Sequence, residues 1–197
     1  MSEQTIYLVR HGETEWNREG RRQGRSDSPL TLRGRAQAVA VARRLRPLLE
    51  QAERIAIECS PLGRAHVTAR ILLRQLRLRE HTLRRAPLLA ELDHGAWEGL
   101  TAAEIEQRFP GELASRARDK WSYAMPGGES YAEVHQRAAR WLAEREPGET
   151  VIAVTHEMLS RALRGAYTRQ SPREMLSLVH PHERVFRLRG GASEELA

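Results

Sequence analysis

Residues 5–17 read TIYLVRHGETEWN and set the fold at its first strand. The stretch 4–10 is short, β-branched and aromatic, which predicts a buried strand. The strand ends on Arg10 and His11, two polar residues that do not suit the end of a core element unless an anion lies there. Gly12 then leaves room for a close backbone approach. The stretch therefore predicts a strand whose carboxyl end serves an anion site.

Strand and helix patterns alternate along the rest of the chain, which is typical of an α/β fold with a mostly parallel sheet. Residues 12–30 are rich in Gly, Arg, Asn, Asp and Ser and are predicted as a loop. The further strands are predicted at 54–59, more weakly within 82–90, at 150–155 and, as an edge strand, at 185–188. Helices are predicted at 32–50, from a Ser60–Pro61 cap to about 78, and after the Thr101–Glu104 capping box. Three more are predicted at 112–121, from the Ser130–Glu133 capping box to about 145, and after the strand 150–155 to about 167.

One domain is expected over residues 1–197, because the chain shows no repeats, no low-complexity segment and no linker. The stretch 93–130 interrupts the alternation of strands and helices. It is predicted to form a helical cap inserted over one end of the sheet.

The amino-acid composition limits which functional classes the chain can belong to. The chain has 31 arginines and one lysine, a net charge of +6 and only 5% aromatic residues. The basic residues form no dense block and few aromatics are available for base stacking, so nucleic-acid binding is not expected. The single cysteine, Cys59, excludes an internal disulfide framework and indicates a reducing, cytoplasmic setting. We expect no signal peptide and no membrane span.

The residues best suited to catalysis or ligand binding stand at the ends of the predicted strands. Sites of open α/β sheets form outside the carboxyl ends of the strands. The first strand ends at Arg10 and His11, the second leads to Ser60, and the strand 150–155 is followed by another histidine. Two arginines, two histidines and a glutamate are therefore expected to meet at one point: Arg10, Arg64, His11, His156 and Glu91.

This set fits phosphoryl chemistry. Two fixed arginines can hold the nonbridging oxygens of a phosphoryl group, and a neutral imidazole is a competent nucleophile toward phosphorus. A carboxyl group can protonate the leaving oxygen. The arginines and the second histidine can carry the electrostatics without a metal ion. The pair His180 and His182 lacks further ligands at a known spacing and is interpreted as part of a surface loop.

Four blocks of sequence resemble the signature of the histidine phosphatase superfamily, also called phosphoglycerate-mutase-like. The blocks are LVRHGETEWN (8–17), SPLGRAHVTA (60–69), LAELDHGAWEG (89–99) and VIAVTHEMLSRALRG (151–165). They occur in order and span nearly the whole chain. The resemblance implies a three-layer α/β/α sandwich.

The resemblance also implies roles for individual residues. His11 is implied as the nucleophile that forms a phosphohistidine, and Glu91 as the proton donor and then the base that activates water. Arg10, Arg64 and His156 are implied as the phosphate pocket. Asn17 and Gln23 match polar positions in the loop over the phosphate. Family members of this kind use no metal and no cofactor.

One position departs from the family pattern. The family usually has glycine after the strand histidine, whereas Glu157 follows His156 here. A carboxylate that pointed into an anion site would repel the anion. We expect Glu157 to point away from the site or to sit favourably in the first turn of the next helix.

The expected substrate is a small organic phosphomonoester. The block DKWSYAMPGGESYAEVHQR (119–137) resembles the phosphatase branch, and the interval 99–130 is shorter than in the glycolytic mutases. The aromatic side chains of this block offer few partners to a second phosphate. Arg116, Arg118 and Lys120 are cations that could bind one, so a bisphosphate substrate stays an open alternative. The alternatives are a mutase-type phosphoryl transfer and a non-catalytic module that binds a phosphorylated ligand or nucleic acid. Oligomeric state stays open.

Overall fold

The computed structural model describes residues 4–196. Its strands are β1 (Thr5–Arg10), β2 (Ile55–Cys59), β3 (Leu83–Arg85), β4 (Thr150–Thr155), β5 (Val185–Arg189) and β6 (Ala192–Leu196). Its α-helices are α1 (Glu15–Glu19), α2 (Leu32–Leu45), α3 (Gly63–Leu76), α4 (Ala102–Arg108), α5 (Glu112–Arg118), α6 (Tyr131–Ala143), α7 (Glu157–Tyr167) and α8 (Pro172–Ser177).

The strands form one sheet in the order β3-β2-β4-β1-β5-β6. Strand β4 lies in the middle and pairs in parallel with both β1 and β2. Strand β5 runs against β1 and against β6, so it alone of the described strands opposes the common direction. The predicted α/β class with a mostly parallel sheet is confirmed.

Helices cover both faces of the sheet, because alternate residues of each buried strand point to opposite sides. Tyr7 and Val9 of β1 pack in one apolar cluster with residues of α2 and α3. Ile6 and Leu8 pack in the other cluster, with residues of α6 and α7. The layers are therefore helices, sheet and helices, as the predicted three-layer sandwich requires.

The structure corrects three predicted elements. Residues 12–30 are not loop throughout, since a capping box at Thr14 opens the short helix α1. The apolar PLL of 87–89 is a 3₁₀ turn, so the third strand is confined to β3. The strand predicted at the edge, β5, is paired on both sides because an unpredicted strand, β6, follows a Gly190–Gly191 turn.

The predicted cap region contains α4 and α5. Its apolar side chains Trp97, Ile105 and Met125 belong to the same core cluster as β1 and β4. The capping boxes that open α4 and α6 are present as predicted. The single domain over 1–197 stays a prediction, and residues 1–3 and 197 lie outside the described residues. Of the helices between residues 4 and 196, none has the length and apolar character that crossing a membrane requires.

Candidate active site

The carboxyl ends of β1 and β4 bring the two histidines together. Arg10 pairs in register with Thr155, so the residues that follow them, His11 and His156, leave the sheet side by side. The backbone N–H of His11 donates to the carbonyl of Thr155 at 2.9 Å. The two imidazole centroids lie 5.1 Å apart, and both side chains are buried.

The environment of His11 fixes its tautomer and its charge. Its Nδ1 lies 2.8 Å from the carbonyl oxygen of Gly12. A carbonyl only accepts, so Nδ1 carries the proton and Nε2 carries the lone pair. Burial, with the positive charges of Arg64 and Arg10, holds the pKa of His11 well below its usual 6.5. The imidazole is therefore neutral, with its nucleophilic pair on Nε2.

Arg64 lies in the first turn of α3 and is clamped by the loop 24–27. Its Nη1 donates to the Ser26 carbonyl at 2.7 Å and to Oδ1 of Asp27 at 2.9 Å, and its Nη2 donates to the Gly24 carbonyl at 2.7 Å. The side chain is buried. These bonds fix the guanidinium and leave Nε unused.

Unpaired buried atoms mark the same place. The Nε atoms of Arg10 and Arg64 and Nδ1 of His156 are buried and have no hydrogen-bond partner within residues 4–196. Buried polar groups are nearly always paired, so a cluster of exceptions calls for an explanation. Hydrogen-bond donors left unused on Arg10, Arg64 and His156 could be satisfied by a bound anion.

Ser60 has a different role from the predicted helix cap. Helix α3 begins at Gly63, with Leu62 at the N-cap and no side-chain cap, so the Ser60–Pro61 start is wrong. The Ser60 hydroxyl instead lies 2.7 Å from Nε2 of His156. Since Ser60 follows β2 and His156 follows the neighbouring β4, this bond ties two strand ends together and orients the ring.

Glu91 is tied to the helix that follows His156. Its Oε1 accepts from the backbone N–H of Leu92 at 2.9 Å and of Leu159 at 3.2 Å, and its Oε2 accepts from Met158 at 3.3 Å. The last two donors belong to the first turn of α7. The carboxylate therefore faces the same cavity as His11 and has one lightly bonded oxygen, Oε2.

The expectation that Glu157 points away from the site is wrong. It does lie in the first turn of α7, but its side chain lines the cavity. Its Oε2 is 3.0 Å from Nη1 of Arg10, and its other oxygen contacts Arg161 one helical turn later. Both arginines attract the carboxylate into the cationic site, and the repulsion expected from the sequence would arise only when an anion binds there.

A cavity of about 100 Å³ is lined by residues of this site, although His156 and Ser60 are not among them. Its small volume suits a small ligand. Of the residues predicted for the site, the ones that line it are Arg10, His11, Asn17, Gln23, Arg64 and Glu91. Those that sequence reasoning missed there are Arg21, Arg22, Gly24, His94, Glu157 and Met158.

Asn17 and Gln23 differ in whether their side chains are free to bind a ligand. Asn17 completes the capping box of α1, where its Oδ1 accepts from the Thr14 N–H at 3.1 Å. Gln23 is buried, and its Oε1 has no partner among the described residues. Gln23 is therefore the better placed of the two to bind a ligand.

His180 and His182 lie in the loop between α8 and β5, as predicted, but their side chains turn inward instead of facing solvent. His180 is buried, and its carbonyl accepts from Nη1 of Arg10 at 2.9 Å. Nδ1 of His182 donates to the carbonyl of His11 at 2.5 Å. Both therefore support the backbone and side chains of the Arg10–His11 corner. Within residues 4–196, no group of three or more His, Cys, Asp or Glu is arranged to hold a metal ion.

Gly12 is required by packing rather than by a ligand. A Cβ on Gly12 would lie 2.1 Å from the carbonyl oxygen of Gly34, in the first turn of α2. A Cβ on Gly34 would lie 2.0 Å from the carbonyl oxygen of Glu13. The two backbones touch directly, which locks the loop after His11 against α2.

The fold and site define an α/β protein that presents a neutral histidine between two arginines. The sequence profile described as "Histidine phosphatase superfamily (branch 1)" matches residues 6–194. The chain belongs to this superfamily.

The relatives named below are either phosphatases or bifunctional proteins that include a phosphatase. A 6-phosphofructo-2-kinase/fructose-2,6-bisphosphatase of Caenorhabditis elegans is 38% identical over 159 residues, which cover 81% of this chain and 33% of the relative. The chain spans about a third of the length of this relative and of similar bifunctional ones. Phosphoserine phosphatase 1 of Hydrogenobacter thermophilus is 33% identical over 162 residues, 80% of this chain and 73% of the relative.

A solved structure shows the same fold. The mycobacterial glucosyl-3-phosphoglycerate phosphatase in complex with VO3 superposes with a TM-score of 0.78. It is 31% identical, and the match covers 93% of this chain and 91% of that one. The resemblance predicted from the four sequence blocks is confirmed.

Proposed function

We propose that this protein is a metal-independent phosphatase that hydrolyses a small organic phosphomonoester through a phosphohistidine on His11. The observation that carries the proposal is the neutral His11 beside His156, together with unpaired buried nitrogen atoms on Arg10, Arg64 and His156. The phosphatases among the relatives support the same reaction class. Cytoplasmic action without a membrane or nucleic-acid partner belongs to the proposal and rests on Cys59 and the low aromatic content.

In the first step, Nε2 of His11 attacks phosphorus. The P–N bond forms while the ester P–O bond breaks, and the leaving oxygen takes a proton from the Glu91 carboxyl group. Oε2 is the oxygen that would carry this proton, because it makes the single longer contact. Arg10, Arg64 and His156 hold the nonbridging oxygens and stabilise their charge.

In the second step, water attacks the phosphohistidine. Glu91, now a carboxylate, takes a proton from that water as the new P–O bond forms and the P–N bond breaks. Phosphate leaves, and both His11 and Glu91 return to their starting states. The arginines supply the positive charge that a metal ion provides in other phosphatases. Residues 93–130 would act as the cap that selects the leaving group, since His94 reaches the cavity from this segment.

The experiment is phosphate release from p-nitrophenyl phosphate with EDTA present, for the wild type and for His11→Ala. We expect His11→Ala to lose at least about a thousandfold in kcat/KM, since the covalent route is gone. The exposed His81→Ala is the matched control and should keep full activity. Denaturation at alkaline pH during turnover should trap a phosphoryl label on the wild type, stable in base and lost in acid, and none on His11→Ala. Full activity of His11→Ala would overturn the mechanism.

A further inference from the structure

Glu91 differs from the two site histidines in how its backbone is held. His11 and His156 follow β1 and β4, whose backbones are fixed by the hydrogen bonds of the sheet. Glu91 follows the 3₁₀ turn at 87–89 and lies in a segment, 90–94, that is neither helix nor strand. A general acid must lie within hydrogen-bond reach of the leaving oxygen. The placement of Glu91 therefore depends on side-chain contacts to its segment rather than on sheet hydrogen bonds.

One guanidinium on α6 holds this segment. Nη1 of Arg137 donates to the carbonyls of Leu88 at 2.8 Å and of Ala90 at 2.6 Å. Its Nη2 donates to the carbonyl of Glu91 itself at 3.3 Å. The Arg137 side chain is 13% exposed, so these bonds are largely shielded from water. A single side chain thus binds the backbone before Glu91 and at Glu91.

Glu129 orients Arg137 and also binds the other side of the segment. Its Oε1 accepts from Nε of Arg137 at 3.3 Å and its Oε2 accepts from Nη2 at 3.0 Å, the two-bond arrangement that fixes an arginine most firmly. Oε2 also accepts from the backbone N–H of Asp93 at 3.0 Å, and the Glu129 N–H donates to the Asp93 carbonyl at 3.0 Å. Arg137 and Glu129 together therefore hold the backbone on both sides of Glu91.

The same carboxylate reaches the loop 24–27, which clamps Arg64. Nη2 of Arg25, in the middle of that loop, donates to Oε2 of Glu129 at 3.2 Å. The carbonyls on either side of Arg25 accept from Arg64. Glu129 thus links the backbone at Glu91 to the backbone that fixes Arg64.

Glu129 holds these partners as a carboxylate. Burial opposes its ionisation, but Arg137, the Asp93 N–H and Arg25 outweigh burial and lower the pKa of Glu129. Neither Glu129 nor Arg137 lines the cavity at His11. The pair therefore acts on the site through the backbone of Glu91 and not by touching a ligand.

We propose that Arg137 and Glu129 are positioning residues for Glu91 and hold its carboxyl group where it can protonate the leaving oxygen. The inference rests on the proposed function, because it applies only if Glu91 is the acid. The proton passes from Glu91 to the leaving oxygen as the ester P–O bond breaks, and neither positioning residue exchanges a proton. Loss of either lets the segment shift, and a misplacement of about 1 Å can cost about a hundredfold in rate.

Two substrates that differ in their need for an acid test the proposal. p-Nitrophenolate leaves without a proton, whereas the alkoxide of glycerol 3-phosphate needs one. The leaving-group ratio is kcat for p-nitrophenyl phosphate divided by kcat for glycerol 3-phosphate. Both rates come from one preparation, so a loss of folded protein cancels. Arg137→Met should raise the ratio by at least about tenfold, because the misplaced acid matters only for the alkoxide.

Glu129→Gln is the milder second variant, because the amide keeps the shape of a partly exposed side chain. It should raise the leaving-group ratio by at least about threefold, since the neutral amide holds Arg137 less firmly. Arg140→Met is the matched control, exposed on the same helix, and should keep the ratio within about twofold of the wild type. Wild-type ratios in both Arg137→Met and Glu129→Gln would overturn the inference.

Combining Arg137→Met with Glu91→Gln separates positioning from a general structural effect. Once the proton donor is gone, its placement no longer matters. The double variant should therefore hydrolyse glycerol 3-phosphate within about threefold of the rate of Glu91→Gln alone. Losses that multiply would show that Arg137 acts independently of Glu91, which would also overturn the inference.

Failure of the proposed function gives a different pattern. A wild-type ratio in Glu91→Gln would remove Glu91 as the acid, and this inference with it. A raised ratio in Glu91→Gln beside wild-type ratios in Arg137→Met and Glu129→Gln would leave the proposed function standing and remove only the positioning role.

Discussion

Oε2 of Glu157 lies 3.0 Å from Nη1 of Arg10, so the arginine expected to hold phosphate already holds a carboxylate. The same carboxylate contacts Arg161. A phosphate bound at His11 would therefore compete with Glu157 for the positive charge of Arg10, although Nε of Arg10 is unpaired. We therefore expect Glu157 to affect how tightly this site binds inorganic phosphate.

Glu157→Gln should tighten inhibition by inorganic phosphate. The ion pair is partly exposed and is worth about 1 kcal/mol or less, so the inhibition constant should fall by up to about fivefold. The measurement is competitive inhibition of p-nitrophenyl phosphate hydrolysis. Glu80→Gln, which removes a surface partner of Arg70, is the control and should change nothing. An inhibition constant that rises in Glu157→Gln would contradict the competition.

Glu91→Gln should lose turnover most for poor leaving groups. The amide keeps the shape of the side chain but cannot donate the proton that an alkoxide needs. We expect a loss of about a hundredfold or more for glycerol 3-phosphate and a much smaller loss for p-nitrophenyl phosphate. The two substrates are compared by kcat. Equal losses on both would remove Glu91 from the role of acid.

The pH dependence of the free enzyme should lack a step near pH 6.5 from His11. Because the pKa of His11 is lowered, its imidazole stays neutral as the pH falls below 6.5. An unshifted histidine would instead be about ten times more protonated than neutral at pH 5.5. NMR titration of the His11 imidazole in the ligand-free protein, read beside kcat/KM, checks this. A His11 signal that titrates at pH 6.5 would contradict it.

Stability should fall as the pH drops below 6.5. Buried histidines with lowered pKa values include His180 at about 3 and His182 at about 4. The unfolded chain takes up protons near pH 6.5 while the folded chain does not, so each such histidine costs about 1.4 kcal/mol per pH unit between the two pKa values.

Urea unfolding at pH 7.5, 6.0 and 5.0 measures that slope. His180→Asn should make the slope shallower by about one proton, and the exposed His81→Asn should leave it as in the wild type. A free energy of unfolding that stays constant over this range in the wild type would show that these histidines are not held neutral.

Glu58→Ala should strongly destabilise the fold away from the site. Glu58 is buried on β2 and accepts from Nε1 of Trp141 at 2.8 Å and from Nη1 of Arg145 at 2.5 Å. Removing it leaves a largely buried arginine and an indole N–H unpaired, which should cost about 3 kcal/mol. Glu80→Ala, which breaks an exposed pair, should cost less than about 1 kcal/mol. Urea unfolding at pH 7.5 compares the two, and equal losses would contradict this account.

The sequence predicted the elements whose signal is local. β1 and β4 are short apolar runs with a clear end, and the boxes at Thr101 and Ser130 place the starts of α4 and α6 correctly. The placement of His11, Arg64 and Glu91 around one cavity followed from the rule that strand ends meet. Their roles in catalysis stay predictions.

The features that sequence reasoning missed depend on tertiary contacts. Ser60 looks like a helix cap, but the bond to His156 comes from a strand 90 residues later, and no local pattern shows it. Glu157 points inward because Arg10 and Arg161 flank it, which only the fold brings about. Arg21 and Arg22 look alike in the sequence, yet only Arg21 donates to the Gly99 carbonyl and to Glu104 of α4, both at 2.7 Å.

The direct backbone contact between Gly12 and Gly34 also limits which residues can be substituted at position 34. Gly34 does not line the cavity, and yet neither glycine accepts a Cβ without moving main-chain atoms. In a mutational scan, position 34 should therefore be as intolerant as a catalytic position. An alignment of homologues read for active-site residues would mark it too, although its contribution is to hold the loop after His11 from the far side.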